Sequence, residues 1–449
     1  VTFGPPQLDD AVRRLDGDRV LLGGSPRRLL TLSEKARAVL ARADWDTPTG
    51  RALATKLINA GFAHPTPQGG PGAEDVSVVI PVRDREPELR KLLAGLDPAL
   101  EVIVVDDGSH SPLPDAAVRH AAARGPAAAR NAGIAAATRP FVAVLDSDVV
   151  VPDGWLTTLL PHFVDPKVAA VAPRVVAARG AAESSTIARV LARYDAARSP
   201  LDLGRSPASV TAGSRVSYVP AAALVLRRAA LGAHLPFFDE TLRYGEDVDL
   251  IWRLTEAGWT VRYEPSSAVG HAHRTTLRAA AAQRFGYGSS AAPLAARHPG
   301  KLAPFAINRW TLAAWALLLS GHPKAATATL AVAAQKLARS LPVRHPLPLA
   351  AELVGGGALA SGRALAEAAS RPYAPVALPV LLAAGRKGRV LAAAALLLPA
   401  LAEYRRARPE LDPIRWTALR IADDLAYGTG VAVGCLRERS AAALRPRVS

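Results

Sequence analysis

Two aspartates one residue apart, Asp146 and Asp148, stand inside the apolar run FVAVLDSDVVV, residues 141–151. In an extended chain side chains alternate, so both carboxylates point to one side. An unpaired carboxylate is costly to bury, and two together call for a neutralising partner. A hard divalent cation is such a partner, with ligand phosphates supplying further oxygens. A second acidic group, Glu246, Asp247 and Asp249, opens the stretch GEDVDLIWRL. It precedes the apolar helical face Leu250, Ile251 and Leu254. Acids there stabilise a helix N-terminus by about 0.3–1 kcal/mol; at the mouth of a site one of them can act as a general base. A third element is GHAHR, with His271 and His273 two residues apart after the predicted strand TVRYEP. A histidine pair is commonly structural, but here it offers nitrogen donors to a metal site begun elsewhere in the chain.

The elements that must position these groups are legible from periodicity. VSVVIPV (76–82) is a continuous apolar run, as in a strand buried on both faces. REPELRKLLAGL follows, with Leu89, Leu92, Leu93 and Leu96 at helical spacing. EVIVVDDGS (101–109) reads as strand and turn, GPAAARNAGIAAA (125–137) as a helix, and FVAVLDSD as another buried strand. Alternation of this kind predicts an α/β domain over 76–275 with a mostly parallel sheet. Ligands of such sheets bind at the carboxyl ends of the strands. Pro81 with Arg83 and Asp84, then Asp106 to Ser109, then Asp146 to Asp148 fall at such ends.

The flanking regions differ in character. Residues 1–65 read as a hairpin, RVLLGGSPRRLLTL, and two helices, a small winged-helix-like module. Residues 66–75 are a Pro/Gly linker. Residues 276–449 are Ala/Leu-rich and helical. No apolar run there reaches the ~18 residues of a spanning helix. The cleanest, Val390 to Ala402, is bracketed by Arg386, Lys387 and Arg389 and by Arg405, Arg406 and Arg408. Two expectations stay open: a region that touches an anionic membrane surface, or an Ala-rich helical domain that does not.

Across 449 residues, 55 basic and 39 acidic side chains leave a formal net charge of +16. Such a surface attracts anionic lipid or phosphorylated ligands. Nucleic acid is disfavoured as a partner, because the basic residues are not interleaved with aromatics. The single cysteine, Cys435, excludes an internal disulfide and any cysteine-based zinc or iron–sulfur site. The first residues carry no apolar leader pattern, so a cytoplasmic location is expected, free or on the cytoplasmic side of the cell membrane.

The pieces VSVVIPVRDR, VIVVDDGS, ARNAGI, LDSD and GEDVDLIWRL, in this order, resemble the family 2 glycosyltransferases, whose fold is the GT-A, nucleotide-diphospho-sugar type. The resemblance implies roles. Asp107 would bond the uracil ring, with Pro81 and Arg83 bordering the nucleotide. Arg130 would lie near the base or diphosphate. Asp146 would contact ribose or metal, and Asp148 would ligate Mn²⁺ or Mg²⁺. His273, or second to it His271, would complete that metal site. Asp247, paired with Glu246, would be the catalytic base of an inverting transfer. The QxxRW-type motif of processive polysaccharide synthases is lacking: AAQRFGYGSS has no RW pair, and INRWTL no preceding Gln.

Beyond the catalytic motifs, VLLGGSPRRLLTLS, AVGHAHR, RFGYGSSAAPLAARHPGKLAP and the helical tail resemble the glycosyltransferases of mycofactocin systems. The first module resembles small peptide-binding chaperone domains of peptide-derived cofactor pathways. This implies a UDP-sugar donor, UDP-glucose, and a peptide-derived redox cofactor as acceptor, giving a β-linked oligoglucoside. Two alternatives stand beside it: an enzyme for a cell-envelope glycolipid or polysaccharide, and, more remote, a nucleic-acid-binding protein with a degenerate transferase domain.

Overall fold

The computed structural model describes residues 3–178, 185–232 and 237–449. Its packing forms two compact units. One comprises residues 1–12, 23–28 and 35–277, the other residues 13–22, 29–34 and 278–449. The first 65 residues are therefore shared between them. They form β1 (Phe3–Leu8), β2 (Arg13–Leu15), β3 (Val20–Gly23), β4 (Arg28–Thr31), α1 (Glu34–Arg42), α2 (Pro48–Asn59) and β5 (Ala63–Pro67). β2, β3 and β4 make a three-stranded sheet, and β1 pairs antiparallel with β5. The predicted hairpin is β3–β4, and Thr47 caps α2 by accepting from the Gly50 amide at 3.0 Å.

The first unit is built on a nine-stranded sheet. Its elements in chain order are β6 (Val76–Val82), α3 (Glu86–Ala94), β7 (Glu101–Asp106), β8 (Ala116–Arg119), α4 (Pro126–Ala136), β9 (Phe141–Leu145), β10 (Val149–Val150), β11 (Val168–Ala177), α5 (Thr186–Arg198), β12 (Ala208–Ser209), β13 (Ala223–Arg227), α6 (Glu246–Glu256) and β14 (Thr260–His271). The spatial order is β10-β14-β11-β13-β9-β6-β7-β8, with β12 beside β14. The expected mostly parallel sheet is present: β6 pairs parallel with β7 and β9, β7 with β8, and β11 with β14. β13 runs antiparallel between β9 and β11. Val78, Ile80, Val82, Ala143, Leu145 and Val225 bury one side of this sheet, which explains the continuous apolar runs. α4 packs so closely that a Cβ on Gly133 would lie 2.3 Å from Val79 Cγ1. The glycine of ARNAGI is thus a packing requirement, and it draws Arg130 against the sheet.

The second unit is largely helical, as the composition predicts. Its helices are α7 (Leu277–Ser289), α8 (Ala291–Arg297), α9 (Arg309–Leu319), α10 (Pro323–Ala338), α11 (Pro346–Ser370), α12 (Ala374–Ala383), α13 (Gly385–Ala407) and α14 (Pro413–Arg437). α7 and α14 approach backbone to backbone: a Cβ on Gly288 would meet Tyr427 O at 2.0 Å, and one on Gly430 would meet Phe285 O at 2.1 Å. Ion pairs, each with one buried partner, tie the helices together, Arg420 to Glu403 at 2.7 Å and Arg371 to Asp424 at 3.1 Å. Among the described residues, no helix is long and apolar enough to cross a membrane.

Candidate active site

Asp146 and Asp148 follow the carboxyl end of β9, where the apolar run stops and the chain turns. The Asp146 amide donates to Ala222 O at 3.0 Å, and the Val149 amide to Asp146 O at 3.1 Å. β10 then pairs antiparallel with β14 in a register that sets Val149 opposite His271. His271 Nε2 consequently lies 3.3 Å from Asp148 Oδ1 and 3.8 Å from Asp146 Oδ2. These donors lie within 4.8 Å of one another. Two carboxylates and an imidazole fit Mn²⁺ or Mg²⁺, which take oxygen ligands and accept nitrogen at some cost. His273 falls outside this cluster, and its buried Nε2 meets no hydrogen-bond partner among the described residues. Geometry thus joins the second-ranked histidine, His271, to the aspartates.

The remaining carboxylate oxygens are held by arginines. Arg130, from α4, donates Nη2 to Asp146 Oδ1 and Nη1 to Glu246 Oε1, each at 2.7 Å. Its side chain is only 6% exposed, and its guanidinium lies over the Phe238 ring at 5.5 Å. Burial disfavours the Arg130 charge, but Asp146 and Glu246 more than compensate and raise its pKa. For Asp146 burial likewise opposes ionisation, and Arg130 with His271 overrides it, lowering the pKa well below the usual carboxylate range. His271 is raised above its ordinary value by Asp146 and Asp148, against the effect of burial. Arg85, just past β6, places Nη1 on Asp148 Oδ2.

Glu246 and Asp247 stand in the first turn of α6, behind Gly245, whose φ of +82° is a left-handed conformation suited to glycine. Glu246 is turned inward onto Arg130. Asp247 accepts from the Val248 amide at 2.8 Å and from the Ala221 amide at 3.3 Å. Burial, and then the neighbouring Glu246 charge, push the Asp247 carboxyl up to about 7. A carboxylate with that affinity for protons is suited to general-base work near neutrality. Asp249 instead pairs with Arg253 at 2.8 Å on its own helix, so it braces the helix.

At the end of β7 the two adjacent aspartates do different things. Asp106 is fully buried; it accepts from the Ser109 amide at 2.8 Å and pairs with Arg119. It closes the DDGS turn. Asp107 accepts from the Arg124 and Gly125 amides at 2.9 and 2.8 Å and meets His120 Nδ1 at 2.7 Å. A carboxylate has about four acceptor positions, which leaves one for a ligand donor. Pro81 is half-buried in β6 at this same edge. Arg83 is exposed, with Nε 3.6 Å from Asp84.

Sequence reasoning missed Arg85 and the pairing of Glu246 with Arg130. The only signal for Arg85 was a second basic residue in VRDRE. Nothing local pointed to the Glu246 contact, which joins residues 116 positions apart.

Comparison with known proteins fits this geometry. Residues 77–228 match the family described as Glycosyl transferase family 2. The chain is 43% identical, over 98% of its length and 97% of theirs, to proteins named pre-mycofactocin glycosyltransferase from two strains of Mycobacterium tuberculosis. It is also 30% identical, over 44% of its length and 61% of the relative's, to the succinoglycan biosynthesis protein ExoU of Rhizobium meliloti. Among solved structures it is similar to the mannosyltransferase PcManGT of Pyrobaculum calidifontis, in complex with GDP-Man and Mn²⁺. That similarity has 18% identity and a TM-score of 0.44, over 91% of this chain and all of that one. With its α/β domain carrying the family 2 motifs and near full-length identity to those mycobacterial proteins, the chain belongs to the family 2 glycosyltransferases, in the group of the pre-mycofactocin glycosyltransferases.

Proposed function

We propose that the protein transfers glucose from UDP-glucose to a mycofactocin precursor, a peptide-derived redox cofactor, with inversion at the anomeric carbon. The observation that carries the catalytic part is the coupled carboxylate system: Asp146 and Glu246 share Arg130, and Asp247 beside them is pushed up to about 7. The acceptor rests on the relatives named pre-mycofactocin glycosyltransferase, and the donor, UDP-glucose, on what the resemblance of the sequence motifs implies.

In this reading Asp247 takes the proton from an acceptor hydroxyl, and that oxygen attacks the sugar carbon from the face opposite UDP. An α-linked donor then gives a β-linked product. Arg130, itself held by Glu246, fixes Asp146, while the Val248 and Ala221 amides fix Asp247. Asp107, Pro81 and Arg83 border the uridine. Asp148, His271 and Asp146 are the residues to hold Mn²⁺ or Mg²⁺, which when bound offsets charge on the leaving diphosphate. Repetition of the transfer would give an oligoglucoside. The strands and helices of residues 1–65 are assigned to presenting the peptide-derived acceptor.

An anionic membrane surface is proposed as a further partner. α12 and α13 expose Val376, Val380, Val390 and Leu398, each more than 60% accessible. Arg386, Lys387, Arg389, Arg405 and Arg406 lie along the same helical pair. Exposed apolar clusters rimmed by basic side chains suit an interfacial position on acidic lipid.

The test is calorimetric titration of UDP with and without Mn²⁺, into the wild type and the Asp148→Ala and Asp247→Asn variants. Metal-dependent UDP binding that is lost in Asp148→Ala and kept in Asp247→Asn, while Asp247→Asn transfers no glucose, is the expected pattern. UDP binding indifferent to Asp148 and metal would refute the site; glucose turnover by Asp247→Asn would remove its role as base.

A further inference from the structure

One cation at the carboxyl edge of the sheet has no role in the reaction just described. Arg85 lies between β6 and α3 and holds Asp148 through Nη1 and Oδ2. We propose that Arg85 is a ligand of the donor's diphosphate, parked on Asp148 until the nucleotide arrives. The assignment rests on the nucleotide-sugar site proposed above and adds to it a residue of the stretch VSVVIPVRDR to which the resemblance gave no role.

The two arginines of the site differ in freedom. Arg130 is buried and pinned by two carboxylates and an aromatic ring. Exchanging either of its partners would strand a buried charge. Among the described residues the Arg85 guanidinium has one partner, Asp148, and its side chain is 39% exposed. It can exchange that partner while its guanidinium stays solvated.

Atom positions separate Arg85 from the metal donors. Asp148 Oδ1 and Asp146 Oδ2 face His271 Nε2, whereas Arg85 takes Oδ2 of Asp148. The guanidinium therefore stands beside the donor cluster, not within it. A diphosphate bound at that cluster would come within its reach. Guanidinium is planar and matches two phosphate oxygens at once. Its place just beyond a strand's carboxyl end is where ligands of open α/β sheets bind.

The rival account is that Arg85 only orients Asp148. Two titrations on the full-length protein separate the accounts: Mn²⁺ into nucleotide-free protein, and UDP into protein saturated with Mn²⁺. Both are run on wild type, Arg85→Ala and Arg85→Lys. Loss of a charge-assisted bond to phosphate weakens UDP binding by about tenfold or more in Arg85→Ala, with Arg85→Lys between. Mn²⁺ affinity without nucleotide stays level or tightens, since a positive charge beside the ion has gone. UDP affinity within twofold of wild type would overturn the proposal. So would a parallel weakening of Mn²⁺ and UDP, the mark of a residue that merely orients Asp148. A wild type that binds neither UDP nor Mn²⁺ would take down the nucleotide-sugar site itself, a failure distinct from that of Arg85.

Discussion

Replacing Arg130 by methionine is the sharpest test of how the site is held together. The side chain makes two charge-assisted bonds at 2.7 Å, to Asp146 and Glu246. At an effective dielectric of about 20, a unit pair at roughly 4 Å attracts by about 4 kcal/mol. Much of that offsets desolvation in the wild type, so attraction alone does not set the cost. What sets it is that Arg130→Met leaves its partners uncompensated, one of them, Glu246, buried. Breaking a buried pair in this way costs about 3–5 kcal/mol. For a unit of this size each kcal/mol lowers Tm by about 2–4 °C, so a fall of roughly 6–20 °C is expected by calorimetry. The pH dependence has a definite sign. The pKa of Asp146 in the folded protein is held below its ordinary 3.8. The stability it contributes is present above that value and lost as pH falls through the folded pKa. The gap between wild type and variant should therefore narrow below about pH 4. A Tm loss under ~3 °C at pH 7, or a gap that widens in acid, would refute this account of the site.

Further expectations concern Asp247 and the exposed helices. Transfer should rise with pH through about 7 as Asp247 ionises, and Glu246→Gln, by removing the adjacent charge that raises it, should move that limb to lower pH; a pH–rate profile unmoved by Glu246→Gln would reject Asp247 as the titrating base. The same raised pKa implies that the stability from protonated Asp247 is full below its ordinary 3.8 and lost as pH rises through about 7. Denaturant melts at pH 8 should then find Asp247→Asn at least as stable as wild type, and a marked loss would contradict the burial argument. For α12 and α13, the protein should float with anionic liposomes at low salt, and Val380→Asp with Leu398→Asp should abolish flotation; protein left at the bottom of the gradient would sink the lipid reading.

Several features were legible because they are local. Apolar runs of strand length announced β6, β7 and β9, and polar residues at their ends marked the edge proposed for the nucleotide sugar. The stretch GPAAARNAGIAAA and the helical spacing of Leu89, Leu92, Leu93 and Leu96 announced α4 and α3. The Ala/Leu periodicity of residues 276–449 announced helices, because each such pattern needs only its own neighbours to be recognised. The order of five motifs placed the chain among the family 2 glycosyltransferases.

What only the tertiary structure decided depends on partners distant in the chain. Local sequence cannot say which of His271 and His273 approaches the aspartates. The answer comes from the register of β10 against β14, which sets Val149 opposite His271. A strand's side chains alternate with period two, but His271 and His273 share a parity, so alternation alone cannot separate them. Arg130 was readable as a site residue, yet its task as counter-ion to both Asp146 and Glu246 exists only once α4 and α6 meet at the edge of β9. The raised pKa of Asp247 is likewise a property of burial beside Glu246, and no residue carries burial in its own identity. The residue types and spacings determined what chemistry was available; long-range register and packing determined which atoms could perform it together.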